Sequence, residues 1–207
     1  MTNTNLSEDL AYVRDLAEAG QSAPLLGGRF LVWWGVLVPI AYIAHYLISV
    51  GTIAGGGPTL GYMWGAFVVI GLSGQFIMAW KFPSHKPGAA SAGNRASEYV
   101  WMAGGFAIFA FFVGIVAKSM ITGEPSQGFI WSVPFILALY SVGQLVSGLM
   151  SNTFALKLAG FAGLGGVAAT AYFTDSNLIW LIGAGVVTIA VLIPGLLLLK
   201  AEPSETV

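Results

Sequence analysis

The residues best placed to do chemistry are two amides set in apolar surroundings. Gln75 closes Gly71-Leu72-Ser73-Gly74-Gln75, and Gln144 closes the similar Ser141-Val142-Gly143-Gln144. An amide in hydrocarbon that finds no partner costs roughly 2–7 kcal/mol, so each must bond another helix or face a solute. Both readings stand: an interhelical hydrogen bond, or a pair of solute-binding amides helped by Ser73, Ser141 and Ser147. Ser73 and Gln75 are two positions apart and point in different directions on a helix, so only one of them can face a central axis.

The other polar candidate is His45, within Ala41-Tyr42-Ile43-Ala44-His45-Tyr46. It reads first as a neutral, hydrogen-bonded packing residue, then as a pore-lining or pH-sensing group, and last as a ligand. A haem held inside a bundle normally takes one or two histidines. The second histidine, His85, belongs to a loop on the opposite side, so no haem and no other cofactor is expected. The chain has no cysteine, which removes disulfides and thiolate metal sites. It shows no Ser-His-Asp set, no paired carboxylates and no phosphate-cradling loop, so no enzyme is expected. Gly163-Leu164-Gly165-Gly166 lies in an apolar run and reads as close packing.

The elements that must position these residues are membrane helices. Hydrophobic residues make up 57% of the 207 and charged residues only 8%, against about a quarter in soluble domains. Apolar runs near the ~20 residues that cross a bilayer predict an all-α protein with six spans. They are Phe30–Val50, Leu60–Trp80, Tyr99–Met120, Phe129–Met150, Phe154–Phe173 and Leu178–Leu199. The spans occupy residues 29–200, between a polar segment at 1–28 and a tail at 201–207. Only 81–98, rich in Pro, Gly, Ser and Ala, reads as a long mobile loop. No Asp, Glu, Lys or Arg falls near the middle of a span, where ion-coupled carriers usually keep one.

Within the polar segment, Ser7 reads as an N-cap, and Leu6, Leu10, Val13 and Ala17 recur at helical spacing. The short amphipathic helix so predicted carries Glu8, Asp9, Asp15 and Glu18 against Arg14. It reads as a solvated helix or as a cap docking on the basic loop, and its acidity argues against an anionic-lipid anchor. Acidic residues where a signal peptide has its basic region lead to the expectation that no secretory signal is present.

Arg14, Arg29, Lys81, Lys86, Arg95, Lys157 and Lys200 fall on one side of a six-span arrangement, and only Lys118 on the other. The positive-inside rule then predicts cytoplasmic termini, in a membrane of the bacterial inner type. Trp33, Trp34, Trp80 and Trp101 lie near that side, with Trp64, Trp131 and Trp180 near the other. These tryptophans read as interfacial belts, or, on the outer side, as a solute entrance. Net charge of −1 makes no case for nucleic acid.

An offset of 69 lays Arg29–Gly35 over Glu98–Gly104 and Gly74-Gln75 over Gly143-Gln144. A weaker likeness links Trp64–Val69 with Ile182–Val187. Three parallel hairpins around an axis follow, an arrangement in which transporters often place substrate. Small-residue pairs, Ala159 with Gly163, Ala162 with Gly166 and Ala110 with Gly114, would let helices approach within or between subunits.

The size, the topology and the basic loop after the second span resemble the acetate-uptake transporter family. Ala23-Pro24-Leu25-Leu26-Gly27 is similar to part of that family's Asn-Pro-Ala-Pro-Leu-Gly motif, and Gln75 stands where the family has a glutamine before a charged loop. Gln21-Ser22 replace its Asn-Pro, Leu26 shifts the glycine by one, and Ala79 or Trp80 replaces its acid. The hairpin pattern is similar to the proton-gated urea channels, which form hexameric rings. The hairpin repeat, the uncharged interior and the two amides at matching depth lead to the expectation of a homo-oligomeric channel or facilitator for a small neutral solute or weak monocarboxylic acid. The alternative is a non-transporting accessory or scaffold subunit that binds a membrane partner through its N-terminal helix.

Overall fold

The computed structural model describes residues 9–11, 23–81, 88–124 and 126–202. Six helices long and apolar enough to cross a membrane account for nearly all of them. They are α1 (Gly28–Ser49), α2 (Gly57–Lys81), α3 (Ala92–Thr122), α4 (Ser132–Met150, entered through a 3-10 turn at Gln127–Trp131), α5 (Phe154–Tyr172) and α6 (Leu178–Ala201). The protein is thus a multi-pass membrane protein by the length and apolarity of its helices. Residues 9–11 are helical; the rest of the predicted amphipathic helix lies outside the described residues.

The predicted spans match these helices, with one informative difference at α3. It begins at Ala92 rather than Tyr99, because Ser91 caps it by accepting from the Asn94 N–H at 3.3 Å. The expected loop 81–98 is therefore shorter at its C-terminal end. Gly123, at φ 72°, ends α3 in the left-handed conformation that glycine adopts without strain.

Four helices form the core. α4 and α5 pack along their whole length as an antiparallel hairpin, and α1 packs against α6. Glycines permit both contacts. Gly160 admits Leu145 of α4, and Gly163 faces Ser141. Gly28 and Gly35 of α1 lie against the backbone of Leu199 and Leu192, while Gly195 of α6 receives Leu31. The small residues Ala159, Gly163 and Gly166 thus serve packing inside the chain, whereas Ala162, Ala110 and Gly114 are exposed.

α2 and α3 are outriders. α2 leans on α1 and α3 on α4, with no extended contact between the two. None of the most apolar stretch of α3 and 6% of that of α2 is buried, against 44% in α1 and α6. In a bilayer such apolar faces meet lipid tails at no cost, so their exposure is consistent with a membrane-embedded bundle.

The start of α1 and the end of α6 meet on one face, called the near face below. The carboxylate of Glu202 accepts from the N–H groups of Gly27 and Gly28 at 3.0 and 2.9 Å, and bonds Arg29 at 3.0 Å. A carboxylate is well suited to the donor-rich N-terminus of a helix. Beside it, Asn94 accepts from the Leu26 N–H at 2.7 Å and donates to the Pro24 and Gly88 carbonyls. The segment Pro24–Gly28 is therefore held by α3 on one side and α6 on the other.

Candidate functional site

The glycines of Gly71-Leu72-Ser73-Gly74-Gln75 act as landing places for indoles. Three residues apart, Gly71 and Gly74 share one face of α2, and the rings of Trp34 and Trp33 lie on them. The Trp33 indole N–H donates to the Gly71 carbonyl at 3.1 Å, and that of Trp34 donates to Gln75 Oε1 at 2.9 Å. The second motif is built alike: Trp101 of α3 covers Gly143 of α4. In both helix pairs a tryptophan ring lies on the glycine that precedes the glutamine.

Gln144 is fully buried, and its Nε2 donates to the Ala190 carbonyl of α6 at 2.9 Å. That carbonyl needs an outside donor because the residue four positions on is Pro194, which has no N–H. The same proline explains the π-helical turn at Thr188–Leu192, since widening the helix relieves the clash of the ring with the preceding turn. An amide nitrogen must face the carbonyl, so the Gln144 oxygen is left over, buried and without a donor.

Both glutamines line one cleft of about 880 Å³, between α2 and α3 in the near half of the bundle. Gln75 stands six residues before Lys81 and Gln144 six before Met150, the residues at which α2 and α4 end. Trp34, Trp101 and Tyr140 contribute aromatic walls. Phe76, Phe106 and Phe109, exposed at 69, 68 and 70%, flank an opening to the side of the bundle. At the near face the cleft ends on Asn94, Ser97, Glu98 and the Arg29–Glu202 pair.

The sequence-derived candidates divide accordingly. Gln75, Gln144 and Ser147 meet at the cleft, and Ser147 donates to Ser97 Oγ at 3.0 Å, tying α4 to α3. Ser141 does not take part: its Oγ donates to Leu137 of its own helix and lies against α5. Ser73 is exposed and outside the cleft.

His45 lies in the far half, 8% exposed. Its ring stacks on Trp180, with centroids 3.7 Å apart and planes at 21°, and its Nδ1 accepts from the Trp64 indole N–H at 2.9 Å. An accepting Nδ1 places the proton of the neutral ring on Nε2. Tyr42 and Phe129 complete this aromatic cluster, and the Tyr42 hydroxyl is buried without a partner. Trp64 and Trp180 are therefore packed inside the bundle as well as lying near its far end. The cluster fills the region between α1, α2, α4 and α6 on that side.

Trp34, Trp101, Tyr140, Asn94 and Glu202 were not legible as site residues. The tryptophans carry the pattern of an interfacial belt, and Glu202 reads as a tail residue. The motif offset of 69 came near, since it sets Val32 over Trp101, one residue from Trp33. No protein-family model, no curated protein and no solved structure matches the chain.

Proposed function

We propose that the protein is a homo-oligomeric facilitator for a small neutral solute or a weak monocarboxylic acid, and that the solute occupies the cleft between α2 and α3. The observation that carries this reading is the cleft itself, whose aromatic walls enclose two hydrogen-bonding groups without a partner among the described residues, Gln75 Nε2 and the Tyr140 hydroxyl. Urea, an amide, an alcohol or a protonated carboxylic acid can bond both. An ionised carboxylate meets the carboxylates of Glu98 and Glu202.

The paired Trp–Gly–Gln arrangement supports a repeat relating the α1–α2 and α3–α4 hairpins. With the termini cytoplasmic, as the Lys and Arg distribution favours, the cleft faces the cytoplasm and the aromatic cluster around His45 closes the outer half. The chain then rests in an inward-facing, outwardly closed state. The bacterial inner membrane is the corresponding location.

Stopped-flow light scattering on proteoliposomes with urea, formamide, glycerol and acetate tests the proposal. Flux above that of empty liposomes for at least one solute is expected, and Gln75→Leu should reduce it. Equality with empty liposomes for all four would sink it.

A second reading is favoured by the bare apolar faces of α2 and α3: an accessory subunit whose outriding helices bind another membrane protein. It predicts a stoichiometric partner on purification in mild detergent and no solute flux.

A further inference from the structure

The hydrogen-bonding groups that the cleft leaves uncommitted are neutral, and both can donate. An indole N–H only donates, so the 2.9 Å bond from Trp34 fixes the oxygen of Gln75 toward α1. The two N–H groups on Gln75 Nε2 are then left without a partner among the described residues. The Tyr140 hydroxyl likewise bonds none of them, and it can accept as well as donate. The enclosed side-chain atoms that lack a partner are different ones, the Tyr42 hydroxyl and the Gln144 oxygen. Gln75 Nε2 and the Tyr140 hydroxyl are not enclosed in that way, so both are reached from the cleft that their residues line.

Shape and access narrow the occupant further. Trp34, Trp101 and Tyr140 make the walls aromatic, with the Trp101 and Tyr140 rings 5.8 Å apart and tilted at 59°. Such surfaces favour offset or edge-on contact with another flat ring. About 880 Å³ lies at the upper end of the range for sites that hold drug-sized molecules, and far exceeds a urea or an acetate. The side opening between α2 and α3 is flanked by exposed Phe76, Phe106 and Phe109, so an apolar chain on the occupant can lie among the lipid tails.

We infer that the cleft binds a neutral, flat carbonyl compound of the quinone class, entering sideways from the bilayer. Its carbonyl oxygens accept from Gln75 Nε2 and the Tyr140 hydroxyl, and its ring lies against Trp34 and Trp101. Its apolar chain leaves between Phe76 and Phe106. A carbonyl offers acceptors and no donor, which suits an amide nitrogen that can only donate. The inference rests on the proposed use of this cleft, but not on the cleft conducting anything.

The test uses full-length protein in lipid nanodiscs and three ligands: butylnaphthoquinone, butylnaphthalene and dibutyl ketone. The second keeps the flat body without the carbonyls, and the third keeps a carbonyl without the flat body. Equilibrium binding, with empty nanodiscs subtracted, should be saturable for the quinone and at least about tenfold weaker for the other two, as the loss of one or two hydrogen bonds or of ring contact implies. Tyr140→Phe should weaken quinone binding about fivefold, the effect of one neutral hydrogen bond. It removes only an oxygen that bonds no described residue, so the fold should not change. Gln75→Leu should weaken binding at least as much, whereas Tyr172→Phe, exposed and outside the cleft, should change nothing. Equal binding of butylnaphthalene or of dibutyl ketone overturns the inference, as does indifference to Tyr140→Phe. Absence of saturable quinone binding also overturns it, whether phospholipid chains or a second copy of the chain fill the cleft. Should Gln75→Leu fail to purify as a monodisperse protein, Tyr140→Phe and the three ligands on the unaltered chain decide. Solute flux without quinone binding would leave the facilitator standing and remove this inference. Quinone binding without flux would do the reverse.

Discussion

Gln144 of α4 supplies, across the helix interface, the hydrogen bond that Pro194 denies to the Ala190 carbonyl of α6. This relationship makes the glutamine a structural residue. Its nitrogen holds a broken turn of α6, and its oxygen is left buried without a donor. It also yields a test of coupling. Gln144→Leu strands a buried carbonyl and should destabilise the fold by about 1–3 kcal/mol. Pro194→Ala restores a backbone N–H four residues after Ala190, so the double variant should lose clearly less than the sum of the two single changes. Unfolding by denaturant in mixed micelles measures the cycle, and strict additivity would disprove the link.

The glycine platforms should be intolerant of bulk. A Cβ at Gly74 runs into the Trp33 ring, and one at Gly143 into Trp101. Gly74→Val should expel the indole, loosen α2 from α1 and cost about 1–3 kcal/mol. Trp33→Ala should recover part of that loss by opening room. Protease sensitivity of the 49–57 connection reports the loosening, and a Gly74→Val protein as resistant as the parent would contradict it.

Glu202 should matter far more than a tail carboxylate normally does. Its side chain is 2% exposed and bonds two N–H groups and a guanidinium. Glu202→Ala leaves Arg29 and the first turn of α1 without their shared acceptor, and the expected loss is about 2 kcal/mol. Glu202→Gln keeps one acceptor oxygen without the charge and should lie between. Thermal unfolding of the three proteins in one detergent establishes the order.

Asn94 holds the Pro24–Leu26 segment by accepting from the Leu26 N–H and donating to the Pro24 carbonyl, and it also donates to the Gly88 carbonyl. Asn94→Ala should leave the six helices in place while speeding hydrogen exchange at Leu26 by at least tenfold, the ratio that about 1.4 kcal/mol of lost protection gives. Unchanged exchange there would show that Glu202 alone holds the segment.

His45 tests the packing reading directly. His45→Phe keeps the stack on Trp180 and loses the bond from Trp64, an interaction worth only ~0.6 kcal/mol on average within membranes. A small loss of stability with unaltered solute flux is expected. Flux that falls severalfold would place His45 on the solute path instead.

Composition and apolar run length alone determined that six helices cross a membrane, because the length of a spanning helix follows from bilayer thickness and not from its neighbours. The near-face end of α3 was misplaced by seven residues, since Ala92–Glu98 is polar and only the Ser91 cap reveals that the helix already runs there. Gln75 and Gln144 stood out because an amide is conspicuous in apolar sequence. Their partners could not be read in advance. Trp34 and Trp101 look like interfacial residues by position, and Glu202 looks like a solvated tail. Only the approach of α6 to α1 and α4 gave Gln144 the Ala190 carbonyl and gave Glu202 the start of α1. The cleft arises from a distance between α2 and α3, two helices that each pack on a different neighbour. Hydropathy measures how each helix meets lipid and carries no record of that separation.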